Sequence, residues 1–205
     1  MRQYRCGCGN TLFYDNSRCL VCNSEVGFCP ECQQIVSLSS QSDGTYRCGN
    51  ADCGAALAKC ANWMQHNVCN RCVLLANVSQ LPLCDCCRFN ATIPDLSVAG
   101  NLEKWASLET AKRRLFYDLN LLGLPYGTEV EGFKPPLAFD FKADVIPADG
   151  VWRTTNRAEK IYTGHVGGKI TINIREADEV EREKMRVEMR EPQRTLIGQD
   201  RKSVV

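Results

Sequence analysis

The residues with chemistry in this 205-residue chain are its 14 cysteines, all between Cys6 and Cys87, with none in the 118 residues that follow. Most fall into close pairs: Cys6/Cys8, Cys19/Cys22, Cys29/Cys32, Cys48/Cys53 and Cys84/Cys87. A backbone turn that carries two thiolates a few residues apart delivers both to one tetrahedral cation, and Zn²⁺ takes four such sulfur or nitrogen ligands. The alternative use of paired cysteines is disulfides, which need an oxidising compartment. The chain opens MRQYRCGCGN, with no apolar run behind the basic residue, so no signal peptide is expected. No stretch approaches the ~18–20 apolar residues of a membrane span. The expectation is a cytoplasmic protein whose cysteines bind metal.

The pairs group by fours. Cys6-Gly-Cys8-Gly and Cys19-Leu-Val-Cys22 make a first site, in which Gly7 and Gly9 free the backbone to turn its amides toward sulfur. Cys29-Pro-Glu-Cys32 and Cys48-Gly-Asn-Ala-Asp-Cys53 make a second. Between its halves, Ile35-Val36-Ser37-Leu38 and Thr45-Tyr46-Arg47 flank Ser-Asp-Gly, which reads as a β-hairpin. Cys84 and Cys87 supply half of a third site. Its other half is either Cys69/Cys72, the pair that spacing favours, or Cys60/Cys69, and His66 is a further possible ligand. Four protein ligands close a site to water and substrate, which makes two to three Zn²⁺ ions structural rather than catalytic. A segment this short, with few large apolar residues, needs such staples to hold a core.

Residues 1–95 carry seven Lys/Arg and seven Asp/Glu. Zn²⁺ held by four thiolates is a doubly negative centre, so a loaded module is acidic. That counts against nucleic acid as a partner, since a phosphate-backbone binder needs a positive face.

The cysteine-free half must supply the remaining elements. NLEKWASLETAKRRLFYDLNLL, residues 101–122, is an amphipathic helix, with Leu102, Trp105, Leu108, Leu115, Leu119 and Leu122 on one side. Lys104, Glu109, Lys112 and Arg113 are expected on its polar side, and Gly123 and Pro125 end it. Strands are expected at 137–141, 161–163 and 169–174, with the glycine-rich 164–168 as the turn between the last two. That turn lacks the spacing of a phosphate loop. A charged, solvated helix is expected over 176–190, and Pro192 suits the first turn of another over 193–198.

Several stretches together resemble bacterial zinc-binding metallopeptidases with an N-terminal zinc ribbon: CGCGNTLFYDNSRCLVC, CANWMQHNVC, PLCDCCRFNATIPDLS, the 101–122 helix continued to LGLP, LAFDF, YTGHVGGKITINIREAD and EPQRTLIG. They cover most of residues 6–199 in order. The resemblance implies an α+β fold: a small metal-stabilised β module over 1–95, then the front, incomplete part of a zincin-like α+β domain over 96–199. It implies Cys60, Cys69, Cys84 and Cys87 as the third ligand set, with Cys72 and Cys86 as spare thiols. It departs from the family at Cys29 to Cys53, where a complete ligand set is often missing. In the family, the helix opening with a motif like EPQRTLIG runs on into H-E-x-x-H, whose histidines bind Zn²⁺ while the glutamate is general base toward a peptide or protein substrate.

No such motif occurs here, and the only histidines are His66 and His165. No catalytic residue is carried over, and the chain as written is expected to be inactive. The last six residues, Asp-Arg-Lys-Ser-Val-Val205, are what a common sequencing adapter encodes in frame, so 200–205 are expected to be non-native, with the natural sequence departing after Gln199. The competing expectation is a complete, non-catalytic zinc-ribbon module that recognises a protein partner.

Overall fold

The computed structural model describes residues 2–77, 82–144 and 161–196. The chain divides into two compact units, Met1–Arg88 and Phe89–Val205.

In the first unit, β1 (Tyr4–Arg5) and β2 (Thr11–Leu12) pair antiparallel, with the Cys6-Gly-Cys8-Gly turn between them. A five-stranded antiparallel meander follows in chain order: β3 (Val26–Cys29), β4 (Gln34–Ser40), β5 (Tyr46–Cys48), β6 (Ala56–Lys59) and β7 (Cys72–Leu74). The expected hairpin is β4–β5, registered by Leu38 opposite Cys48. Its turn is fixed by Asp43, whose carboxylate accepts from the Thr45 amide at 3.0 Å, and by Gly44 at φ +80°. A short helix, α1 (Ala61–His66), interrupts the meander between β6 and β7 and buries Trp63. Trp63 packs so close to β3 that a Cβ on Gly27 would lie 2.7 Å from its ring, which leaves only glycine at that position.

The second unit is a four-stranded mixed sheet in the order β10-β11-β9-β8, from β8 (Asn90–Thr92), β9 (Ala138–Lys142), β10 (Gly164–Val166) and β11 (Lys169–Asn173). β9 lies parallel to both β8 and β11, and β10 pairs antiparallel with β11. Parallel neighbours need a crossover, and between β8 and β9 it is α2 (Asn101–Leu122), which ends at Gly123 in the left-handed conformation. The interior is Trp105, Leu108, Leu115 and Phe116 from α2 against Phe139, Phe141, Ile170 and Ile172 from the sheet.

Four expectations are corrected. Glu109, Lys112 and Arg113 are buried rather than on a polar face, whereas Leu122 is exposed. α2 is covered around most of its girth, and its buried Glu109 and Lys112 pair with each other. The strand expected at 161–163 is instead β10, because the turn is the two-residue Gly167-Gly168, at φ +56° and +82°. That geometry places the hairpin partner at Val166 and runs it back to Gly164. The charged helix is α3 (Glu179–Glu188), preceded by a 3-10 turn at Ile174–Ala177 and capped by Asp178, whose carboxylate accepts from the amides of Val180 and Glu181. Residues 193–195 are not helical and only Leu196 is. The rest of that expected helix and the 200–205 tail lie outside the described residues.

Candidate metal centres

The first unit gathers twelve of its cysteines into three groups of four: Cys6, Cys8, Cys19 and Cys22; Cys29, Cys32, Cys48 and Cys53; Cys60, Cys69, Cys84 and Cys87. Within each, all four Sγ atoms lie within 4.8 Å of one another. The closest pairs measure 3.6 Å (Cys6–Cys22), 3.7 Å (Cys8–Cys19), 3.9 Å (Cys29–Cys53), 3.8 Å (Cys32–Cys48) and 3.8 Å (Cys69–Cys84). A disulfide would need about 2.05 Å. Four sulfurs each about 2.3 Å from a tetrahedral Zn²⁺ stand about 3.8 Å apart, so the donor set and its spacing fit zinc.

Local folding explains each group. In the first, the knuckle at Cys19 to Cys22 is closed by the Asn23 amide donating to the Cys19 carbonyl at 2.9 Å, with Asn23 itself at φ +60°. In the second, the Gln33 amide donates to the Cys29 carbonyl at 2.9 Å in the same way, and Cys48 comes from the end of β5. The third needs α1: Cys60 stands at its N-terminus, and Asn67 at φ +54° reverses the chain so that Cys69 returns beside it. Cys72, the alternative by spacing alone, stands on β7 outside the group, and so does His66 at the end of α1.

The centres differ in burial. All four cysteines of the third are buried, whereas Cys8 and Cys22 of the first are exposed. In the third, backbone amides of Arg71, Cys84 and Cys87 each donate to sulfur, of Cys69, Cys60 and Cys84 respectively, at 3.4 Å. These bonds favour thiolate over thiol. The thiols show the same competition between burial and hydrogen bonding. In the first centre the backbone amides of Cys22 and Val21 pull the Cys19 thiol down to about 6, and the Ser24 hydroxyl lowers Cys22, while burial pushes Cys6 up to about 12. In the second, burial pushes Cys29 up to about 11 and raises Cys48, while the Ala55 amide and the neighbouring sulfurs outweigh burial to lower Cys53.

Sequence reasoning did not single out Asn70, Arg71 and Asp85. Arg71 is buried, and its guanidinium is held bidentate by Asp85, with Nε 2.6 Å from Oδ1. It also donates to the Tyr14 hydroxyl at 2.6 Å and lies over the Phe28 ring at 3.6 Å. The one available signal was position: Arg71 and Asp85 each stand within two residues of a cysteine of the third group.

Among the described residues of the second unit no group of metal-binding side chains assembles. His165 serves the β10–β11 turn, its Nε2 accepting from the Gly168 amide at 3.0 Å. Among the described residues of this unit, several buried charges are paired. Glu109 and Lys112 are both 0% exposed and 2.9 Å apart, and Glu109 also accepts from Trp105 Nε1 at 3.0 Å and Asn90 Nδ2 at 2.6 Å. Arg194 pairs with the buried Glu176.

Residues 101–205 match the model of the family described as "Putative zinc-binding metallo-peptidase", and residues 3–98 match that of a zinc-ribbon domain. Curated relatives from Mycobacterium bovis and two strains of Mycobacterium tuberculosis, each titled only an uncharacterized protein, are 32% identical over 206 residues. The matches cover 100% of this chain and 52% of the relatives, so the chain spans about half the length of the curated relatives it matches. No solved structure matches.

Proposed function

Because the chain belongs to that zinc-binding metallo-peptidase family and carries its N-terminal zinc ribbon, we propose that it is the structural, zinc-stapled portion of a zinc-dependent peptidase. The observation that carries the metal reading is the sulfur spacing of 3.6 to 3.9 Å in three closed groups. Cys6, Cys8, Cys19 and Cys22 would hold one ion, Cys29, Cys32, Cys48 and Cys53 a second, and Cys60, Cys69, Cys84 and Cys87 a third. Zinc bound there supplies cross-links and no open coordination position, so these centres fold the chain and do not hydrolyse anything.

Peptide hydrolysis belongs, on this reading, to the whole protein. The second unit is read as the front part of a zincin-like domain, supported by the family match over residues 101–205. The 205 residues contain no H-E-x-x-H, so this reading assigns the ligands and general base of hydrolysis to a longer protein. A protein or peptide is the substrate class, a cytoplasmic location is retained, and neither membrane nor nucleic acid is a proposed partner. Among the described residues no helix is long and apolar enough to cross a membrane.

The test is to sequence the source locus past the codon for Gln199 and to express both the chain as given and any longer product. An H-E-x-x-H soon after, with zinc-dependent cleavage of unfolded protein by the longer product alone, supports the proposal. A confirmed stop after Val205 favours the non-catalytic reading, a zinc-ribbon module for protein interaction, which the closed geometry of all three centres also suits. Fewer than three zincs per purified chain would remove the ligand assignment.

A further inference from the structure

The geometry points to Asn70 and Arg71 as a buried junction that couples the three centres, so that emptying one loosens zinc at the others. The inference rests on the centres holding zinc. These two residues lie between Cys69, a ligand of the third group, and Cys72 on β7. Their bonds reach the framework of every group.

Toward the first group, Asn70 Nδ2 donates to the carbonyls of Tyr14 at 2.7 Å and Asn16 at 3.2 Å, both in the stretch joining Cys8 to Cys19. Arg71 reaches the same stretch through the Tyr14 hydroxyl. Toward the second, the Asn70 carbonyl accepts from the Phe28 amide at 2.8 Å, one residue before Cys29, and Phe28 also forms a bridge with Arg71. The guanidinium covers the Phe28 ring. Within the third, the Arg71 amide donates to Cys69 Sγ, its carbonyl accepts from the Cys60 amide at 3.0 Å, and its side chain grips Asp85 beside Cys84.

Asn70 and Arg71 are 3% and 1% exposed, so the junction's own side of each bond is buried, while Asp85 reaches toward solvent. A buried guanidinium or amide left without partners is costly, and the junction therefore keeps its position only while all three frameworks are in place. Arg71 also places a cation among centres that become dianionic when filled, which is the role arginine suits better than lysine because its planar fork binds carboxylate bidentately. When the first group loses its ion and the Tyr14 stretch relaxes, Asn70 and Arg71 lose partners, and the third group loses the peptide that positions Cys69. Coupling of this kind is reciprocal: emptying the third group loosens the first by the same factor.

The experiment is a chelator titration of the intact chain, following zinc release with a colorimetric zinc indicator. The first centre is emptied by the double substitution Cys8→Ser/Cys22→Ser, at two exposed positions. In the otherwise wild-type chain this should lower the chelator concentration that releases the remaining zincs about tenfold, within the usual range for coupled sites. In a Tyr14→Phe background, which removes only the hydroxyl joining Arg71 to the first stretch, the shift should shrink to about threefold. In an Arg71→Met background, where the Asn70 and backbone bonds remain, it should shrink at least as far; if that variant does not fold, Tyr14→Phe decides alone. An equal shift in the wild-type and Tyr14→Phe backgrounds, or none in the wild type, overturns the coupling. Starting protein with three zincs keeps the reading of the centres intact in that case, whereas protein purified without zinc overturns that reading and the coupling together.

Discussion

Where the first unit buries ten cysteines among a few aliphatic and aromatic side chains, the second buries Trp105, Phe116, Phe139, Phe141, Ile170 and Ile172 around the Glu109–Lys112 pair. A thiol contributes little apolar surface, so a core of cysteines gains its stability from the metal it encloses. A core of phenylalanine, tryptophan and isoleucine gains it from area removed from water, about 25 cal/mol per Å². One chain thus holds two interiors that fail under different treatments: chelation for one, loss of packing or pairing for the other.

The largest expected effect separates them directly. A strong chelator should abolish tertiary structure in the first unit, because binding a structural zinc contributes on the order of 10 kcal/mol to folding. Helix α2 should persist. Amide exchange followed by mass spectrometry checks this: protection over β3 to β7 should vanish while protection over α2 remains. Loss of both together would show that the second interior does not stand by its own packing.

The reverse treatment is Lys112→Met. It removes the ammonium that stands 2.9 Å from the buried Glu109, and breaking such a pair costs about 3–5 kcal/mol. Denaturant unfolding of the second unit should shift accordingly, with zinc content unchanged. Adding Glu109→Leu should recover much of the loss, since a buried pair replaced whole by apolar groups is often neutral.

Within the first unit the contrast sharpens between its own centres. Cys8→Ser should cost one zinc and local order around β1 and β2, whereas Cys69→Ser should unfold the whole unit, because its sulfur lies inside the sheet-and-helix core. Metal analysis and one-dimensional NMR of methyl protons distinguish the two outcomes. If both variants keep the same dispersed spectrum, burial does not rank the centres.

The smallest effect is in proton release. A thiol whose ordinary value is raised stays protonated at neutral pH, and zinc must displace that proton, whereas Cys19, pulled down to about 6, has mostly lost its own. The first centre has Cys19 and Cys22 lowered and Cys6 raised, while the second has Cys29 and Cys48 raised and Cys53 lowered. Filling the second should therefore release about one proton more, so its affinity climbs about tenfold more per pH unit near neutrality. Calorimetry in buffers of different ionisation enthalpy measures the difference, and equal proton counts would contradict it.

How much of this was legible in the sequence follows from how local each feature is. The first two groups are made by knuckles whose halves close within a few residues, so spacing alone carries them. The third joins Cys60 to Cys69 across α1, and the fold rather than the interval brings them together. Cys72 stands at tempting spacing, but Arg71 takes up the turn and Cys72 continues into β7 opposite Lys59. The bounds of α2 were legible because its periodicity is long and Gly123 stops it. Its buried Glu109 and Lys112 were not, since a charge in a helix reads as solvated until Asn90 and Trp105 are known to face it. Likewise β10 is set by the backbone of Gly167-Gly168, while Ile161 and Tyr162 attract a strand assignment that the turn geometry does not honour.

Two cysteines remain outside the centres. Cys72 and Cys86 are 1% and 0% exposed, and burial pushes the Cys72 thiol up to about 12. A maleimide reacts with accessible thiolate, so neither residue offers it a target in the folded protein. Once the interior of the first unit opens, both do. The chain thus carries its own clock: the mass added at positions 72 and 86 dates the opening of the core, independently of any label taken up by the sulfurs that hold the metal.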